Sequence, residues 1–375
     1  MNRTARWCAV ALLMLAAVLG VRHAFREERN AVGAGAGGTP PPATTRRADP
    51  DGAASRGRME ASAVVLIDRE WSDLLAWLDG DPTPSAEEIR ERLMETRSRW
   101  LEADFIVLSK AVGRALDSGE DRATGLPFEV GRHGMLNSWP TLRVFLLDVL
   151  ARSDPEMAAE IARRVLDTTG SADEYAVALR SLTREGLGRA SDGELLTRFE
   201  RMLGEDAWDG SPGFAEAFDL ARFLGSPEAA ESLAAWDGNS ALRSMALHEF
   251  AAEHPGAVLP VLDGLDPSDR GSLIARADPV DPEQAAAVET FLKNPSSTPE
   301  EIEVFLKTFP LRSATTGYRL YGRTPAPFRR EEMREGDREA REMVARWLAD
   351  PSLERYHEPL GELRERLDDW LEEDD

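Results

Sequence analysis

Residues 138–204 read SWPTLRVFLLDVLARSDPEMAAEIARRVLDTTGSADEYAVALRSLTREGLGRASDGELLTRFERMLG. Apolar residues recur along this stretch at spacings of three and four, the period of a one-sided helix. Each of four such runs opens at a capping residue, namely Ser138, Ser153, Ser171 and Ser191. A short helix must bury its apolar stripe on a neighbour, and short connections produce antiparallel hairpins. The stretch therefore predicts a stack of four short helices.

After Gly204 the start signal becomes a capping residue followed by proline, which fits the first turn of a helix. This pair recurs at intervals of about one short helix, as stacked helical pairs require. The pairs are Ser211-Pro212, Ser226-Pro227, His254-Pro255, Asp266-Pro267, Asp281-Pro282 and Thr298-Pro299. A further pair, Asp350-Pro351, is predicted to open a C-terminal capping helix with an acidic tail, residues 351–375.

With these starts, and with runs such as Tyr175-Ala-Val-Ala-Leu-Arg-Ser-Leu182, residues 138–350 resemble bacterial HEAT-like α-solenoids, especially membrane-tethered ones. The resemblance implies an all-α fold, a right-handed stack of short antiparallel helical hairpins. It also implies a scaffold or partner-binding role and carries over no catalytic residue. Tetratricopeptide repeats fit less well, because their Trp, Leu-Gly and Tyr pattern at a strict period is missing.

The N-terminal part of the chain divides into three segments. Residues 1–29 contain the apolar run Trp7–Val21 between arginines, which indicates a signal anchor or a signal peptide. We favour the anchor, because no small-x-small cleavage site follows the run. Residues 30–58 are rich in Gly, Ala and Pro and predict a flexible linker. The pattern of residues 59–118 predicts a helical hairpin whose second helix starts at Ser85. Residues 119–137, which we call the joint, show no helical period and are predicted to be irregular.

Charge and cysteine content exclude several classes of function. The formal net charge is −23, with 68 acidic and 45 basic residues, which argues against nucleic-acid or anionic-membrane binding by the main body. The one cysteine, Cys8, permits neither an intramolecular disulfide nor a cysteine metal site.

Three runs resemble known cofactor-binding or metal-binding motifs, but each is better explained without a binding site. The glycines of 33–38 match a dinucleotide fingerprint but follow no strand and open no helix. His248 and His254 lie six residues apart, where a zinc helix needs four. The acidic run 368–372 resembles the aspartate-rich motif of terpene synthases, but it falls in the tail and reads as a solvated face. The sequence predicts no cofactor, no metal site and no catalytic residue.

One segment, Leu311–Arg330, combines five arginines and two tyrosines with no acidic residue, and we call it the Arg–Tyr segment. Planar guanidinium and aromatic groups favour recognition of carboxylates, phosphates or peptides. The alternative is a loop docked on the protein's own acidic surface, where most arginines of so acidic a body will find partners. The candidate partner-binding residues are Arg312, Tyr318, Arg319, Tyr321, Arg323, Arg329 and Arg330.

We therefore expect a non-enzymatic, envelope-associated scaffold that binds a protein or peptide, possibly an acidic one, on its helical-repeat surface. The membrane contact would be the run Trp7–Val21, with the body extracytoplasmic (periplasmic), or secreted if the signal is cleaved. An all-helical enzyme, such as a hydrolase or lyase with a pocket assembled only in three dimensions, is the alternative. A third reading is an accessory subunit that only stabilises a membrane complex. The partner, the membrane orientation and the oligomeric state are not legible from the sequence.

Overall fold

The structure is a computed structural model that describes residues 50–184, 186, 188–312, 318–322 and 329–372, with side chains from residue 62 onward. The chain divides into two compact units, Met1–Ala53 and Ala54–Asp375, and the description below concerns the second. The predicted signal and most of the predicted linker lie outside the described residues, as do Arg323 and the end of the acidic tail.

Three helices come first, where the sequence predicts two. They are α1 (Pro50–Leu78), α2 (Ala86–Glu102) and α3 (Phe105–Asp117). Helix α2 begins where predicted, because Ser85 and Glu88 form a capping box. The predicted second helix is divided because Asp104 caps a new one, accepting hydrogen bonds from the backbone N–H groups of Ile106 and Val107. Helix α1 begins before the predicted start at Met59, so that residues 50–58 are helical.

The joint contains a small antiparallel sheet formed by β1 (Glu129–Val130) and β2 (Leu136–Ser138). The prediction that Ser138 caps a helix is therefore wrong. Residues up to Thr141 pair with the joint, since the Thr124 N–H donates to the Pro140 carbonyl at 2.9 Å. The helix starts only after Thr141, whose hydroxyl accepts from the Val144 N–H at 3.3 Å.

The predicted stack follows as α4 (Leu142–Ser153), α5 (Pro155–Thr168), α6 (Ala172–Thr183) and α7 (Asp192–Leu203). Ser171 and Ser191 cap their helices as predicted. The cap of α5 is Asp154 and not Ser153, because the Asp154 carboxylate accepts from the Met157 N–H at 3.0 Å.

Every capping-residue and proline pair between residues 211 and 299 starts a helix where the sequence predicts one. Asp350-Pro351 opens a 3₁₀ turn, Pro351–Tyr356, that leads into the last helix. The helices are α8 (Pro212–Ala217), α9 (Asp219–Leu224), α10 (Pro227–Ala235), α11 (Ser240–Ala251), α12 (Pro255–Val258), α13 (Pro267–Ile274), α14 (Pro282–Lys293), α15 (Pro299–Thr308), α16 (Arg330–Leu348) and α17 (His357–Glu372). Further 3₁₀ turns are Arg132–Gly134, Asp206–Trp208 and Leu259–Gly264.

The helices form a stack in which most pack on near neighbours in sequence. Many consecutive helices contact one another, as α5 does with α6 and α16 with α17, and some also contact the helix after next, as α13 does with α15. Helix α14 instead contacts the 3₁₀ turn Pro351–Tyr356. Helix α6 lies deepest, with every residue from Glu174 to Thr183 buried. The predicted all-α helical stack is confirmed, and the short β1–β2 sheet is its one addition within the described ranges.

In the part of the chain that the structure describes, no helix combines the length and the apolar character that crossing a bilayer requires.

A buried ion pair fixes the joint to the stack. Asp148 of α4 and Arg180 of α6 are almost wholly buried, and Arg180 Nη1 donates to Asp148 Oδ1 at 2.6 Å. The other Asp148 oxygen accepts from the indole Nε1 of Trp139 at 3.1 Å. Arg180 also donates to the Gly134 carbonyl at 2.6 Å. The pair therefore holds residues 134–139 in place through both of its partners.

We expect Asp148→Ala to destabilise the fold by about 3–5 kcal/mol, because it leaves a buried guanidinium without its counter-charge. Urea unfolding followed by circular dichroism measures this. Asp117→Ala is the matched control: Asp117 pairs with Arg164 at 3.0 Å on the exposed surface, and its loss should cost about 0–1 kcal/mol. Equal losses in the two variants would contradict the role given to Asp148.

Candidate functional site

The described centre of the Arg–Tyr segment, Tyr318–Gly322, is anchored to the helical stack. Tyr321 is buried, and its hydroxyl donates to the Ala176 carbonyl of α6 at 3.0 Å. The Leu320 backbone N–H donates to Asp219 Oδ2 at 3.0 Å. We call residues 318–322 the strap, because their partners lie more than 100 residues away in the chain.

Arg319 of the strap enters a cluster of acidic side chains. Its guanidinium forms an ion pair with Glu253, and the side chain is 8% exposed. The cluster, which we call the acidic groove, consists of Glu216, Asp219, Glu249 and Glu253 around Arg222. Arg222 pairs with Asp219 and lies 3.0 Å from Glu249 and 4.0 Å from Glu253. Arg222 and Arg319 thus face four carboxylates.

Burial and neighbouring charges shift several pKa values. Burial, together with the nearby Glu249 carboxylate, raises the pKa of the Glu216 carboxyl from 4.5 to about 7, and Arg222 opposes both effects. Burial, with repulsion from Arg222, lowers the pKa of Arg319 to about 10. Burial also raises the pKa of the Tyr321 hydroxyl well above its ordinary value. The groove is therefore a desolvated site in which a further charge is costly.

A glycine permits the strap to approach the joint closely. Gly134 has a φ of +68°, and a Cβ atom there would overlap the carbonyl oxygen of Leu320. Because Arg180 holds the Gly134 carbonyl, the position against which the strap packs is fixed by the buried ion pair.

The other predicted binding residues are dispersed. Arg312 pairs with Asp337 at 3.3 Å and donates to the Met333 carbonyl. Tyr318 is about half exposed, with its hydroxyl 3.4 Å from Arg132 Nε. The exposed arginines are Arg329, with 83% of its side chain accessible, and Arg330. The sequence left open the alternative that the Arg–Tyr segment docks on the protein's own acidic surface. Arg312 and Arg319 do form such internal ion pairs, with Asp337 and Glu253. A binding role for the set stays a prediction.

A cleft of about 320 Å³ lies beside Arg312. Its lining combines the side chains of Arg276 and Arg312 with three carboxylates and several apolar groups. Burial lowers the pKa of Arg276. The remaining lining residues are Ala251, Ala252, Glu253, Pro255, Ala277, Asp278, Pro279, Pro310, Leu311, Glu332 and Met333. The cleft can therefore present both charge and apolar surface to a polypeptide.

Sequence reasoning missed the acidic groove and most of the cleft. Carboxylates are so abundant in this chain that no spacing distinguishes Asp219 or Glu253. The sequence does show a segment with arginines, interleaved tyrosines and no acidic residue. This pattern identified the segment that contains the strap, but it did not identify the residues that the strap contacts. Among the described residues, no group of three or more His, Cys, Asp or Glu side chains could hold a metal ion.

Comparisons with protein-family models, with curated proteins and with solved structures found no match to this chain.

We expect the stability of the wild-type protein to fall as pH rises from about 4.5 to 7, relative to Glu216→Gln. The folded state favours the protonated Glu216 carboxyl, because its pKa of about 7 exceeds the ordinary 4.5, and this preference is lost as the group ionises. The difference should reach about 3 kcal/mol above pH 7. Urea unfolding across this pH range measures it, with the exposed Glu231→Gln as control. Parallel curves for the wild type and Glu216→Gln would refute the assignment.

We also expect Gly134→Ala to destabilise the protein more than Gly125→Ala does. Both glycines have positive φ, +68° and +72°, so each alanine costs about 1–2 kcal/mol in backbone strain. Only Gly134 lies against the Leu320 carbonyl, whereas a Cβ at Gly125 meets open space. Unfolding midpoints and slopes of the two variants give the comparison. Equal losses would mean that the contact with the strap adds nothing.

Proposed function

We propose that this protein is a non-enzymatic, envelope-associated scaffold of the HEAT-like helical-repeat type, which binds a protein or peptide segment in the cleft beside Arg312. The confirmed stack of short helices supports the repeat reading. The N-terminal run Trp7–Val21 supports the envelope association, because a charged start followed by an apolar run is typical of a secretion or anchoring signal.

The observation that carries the proposal is the composition and position of the cleft. Its walls come from the end of α11, the segment after α13, the residues after α15 and the first turn of α16. Successive elements of a stack thus contribute to one concave surface, as in solenoids that bind extended partners. Prolines and Leu311 supply apolar contact, while Arg276 and Arg312 contribute the positive charges of the lining.

The exposed arginines Arg329 and Arg330 support the proposal that the partner is acidic. Arg329 caps α16, and Glu332 and Met333, within one helical turn of it, line the cleft. Arg329 and Arg330 therefore lie within one helical turn of two residues that line the cleft, and we propose that they form part of its rim. A rim charge steers a partner of opposite sign and mainly affects the rate of association.

We expect Arg329→Glu to lower partner recovery about fivefold, because one exposed attraction becomes a repulsion of about 1 kcal/mol. The measurement is a pull-down with the full chain in detergent from envelope extract, at low salt, with quantitative mass spectrometry. Arg90→Glu, on the exposed face of α2, changes the charge equally and should leave recovery unchanged. Recovery of no specific protein, or equal recovery with both variants, would count against the scaffold.

A further inference from the structure

The strap occupies the acidic groove in the way that a bound peptide occupies a receptor. It presents a buried aromatic anchor, a captured backbone N–H and one buried charge pair. These three contacts are Tyr321 to Ala176, Leu320 to Asp219 and Arg319 to Glu253. Large buried aromatic and arginine side chains are the usual energetic centres of protein interfaces.

The groove itself has the chemistry of a receptor for a guanidinium group. Without the strap, the cluster of Glu216, Asp219, Glu249 and Glu253 would keep Arg222 but lose the guanidinium of Arg319. Closely spaced carboxylates in a desolvated site repel one another strongly. An arginine delivered from outside relieves this repulsion, and a planar guanidinium is the group that pairs best with carboxylates.

The strap contacts elements that are distant from one another in sequence. Gly134 lies in the joint, Ala176 on α6, Asp219 on α9, and Glu253 just beyond α11. The strap thus crosses several elements of the stack, as an extended peptide ligand does on a solenoid. The Tyr321 side chain is buried at the contact with α6.

We propose that the acidic groove is a recognition site for an extended Arg-apolar-Tyr peptide, that the strap is its resident intramolecular ligand, and that a partner protein exposing such a segment displaces the strap. This site shares Glu253 with the cleft, but its function is distinct from the scaffold function proposed above, since its partner is basic and aromatic where the cleft's partner is acidic. The strap then acts as an autoinhibitory contact.

Tethering gives the strap an advantage over any free peptide. A segment attached to its own receptor competes at an effective concentration in the millimolar range. A free peptide therefore binds the wild-type protein weakly, and weakening the strap should reveal the site. Tyr321→Ala is the variant for this purpose, because it removes the aromatic anchor and leaves the groove's own side chains in place.

The test uses fluorescein-labelled Tyr-Arg-Leu-Tyr-Gly, the sequence of residues 318–322, and fluorescence anisotropy with the full chain in detergent. We expect this peptide to bind Tyr321→Ala at least tenfold more tightly than the wild type. The matched peptides Tyr-Ala-Leu-Tyr-Gly and Tyr-Arg-Leu-Ala-Gly should bind the same variant at least tenfold more weakly. Equal affinity for wild type and variant, or for all three peptides, would overturn the proposal and leave the strap a structural staple.

Hydrogen exchange decides the matter if Tyr321→Ala loses its helical circular dichroism. In the wild type, a displaceable strap should exchange its amides by local opening, at least tenfold faster than α6 (Ala172–Thr183). Exchange of both segments at one common rate would show that the strap opens only with global unfolding, and would refute displacement. Arg329→Glu should alter neither result, so failure of this proposal and failure of the scaffold function are distinguishable.

Discussion

The carboxylate of Asp148 is the constraint on which much of this fold depends. A charge with no exposed surface must be paired and hydrogen-bonded, and Asp148 has Arg180, Trp139 and a backbone N–H of the joint as partners. These partners come from a neighbouring helix and from the segment that precedes α4. The pairing therefore selects one placement of the joint on the stack. Apolar contacts alone tolerate many placements, because they are not directional.

The effect of this pairing extends beyond the core. Arg180 holds the Gly134 carbonyl, and Gly134 lies directly against the strap. The acidic groove completes the arrangement on the other side of the strap. The Asp148–Arg180 ion pair, acting through Gly134, and the acidic groove thus both position the strap. The first joins one carboxylate to Arg180 at 2.6 Å and to Arg97 at 3.9 Å, whereas the second has more carboxylates than guanidinium groups. Burial, reinforced by the Glu249 carboxylate, raises the pKa of Glu216 in this cluster to about 7.

Sequence reasoning predicted what is encoded locally. A capping side chain and a proline act on the next one or two turns, so Ser171, Ser191 and the cap-proline pairs placed their helices correctly. The failures are also physical. Ser138 has the side chain of a cap, but its backbone is used by a strand partner in the joint. Asp104 interrupts an apolar period that the sequence continues across it. The acidic groove was out of reach, because Glu216, Asp219, Glu249 and Glu253 lie on different elements of the stack and meet only in the folded chain. The strap reaches them from still further away in sequence, since Leu320 contacts Asp219 across 101 residues.

The separation in sequence between Tyr321 and its partner has a consequence for the order of folding. Many helices of the stack contact near neighbours in sequence, so they can assemble as the chain emerges during synthesis. The Ala176 carbonyl forms its hydrogen bond with the side chain of Tyr321, which lies 145 residues later in the chain. Closing so long a loop is entropically costly and slow compared with neighbour packing. A nascent chain therefore lacks the strap contacts at Ala176 and Glu253 until residues 318–322 have been synthesised.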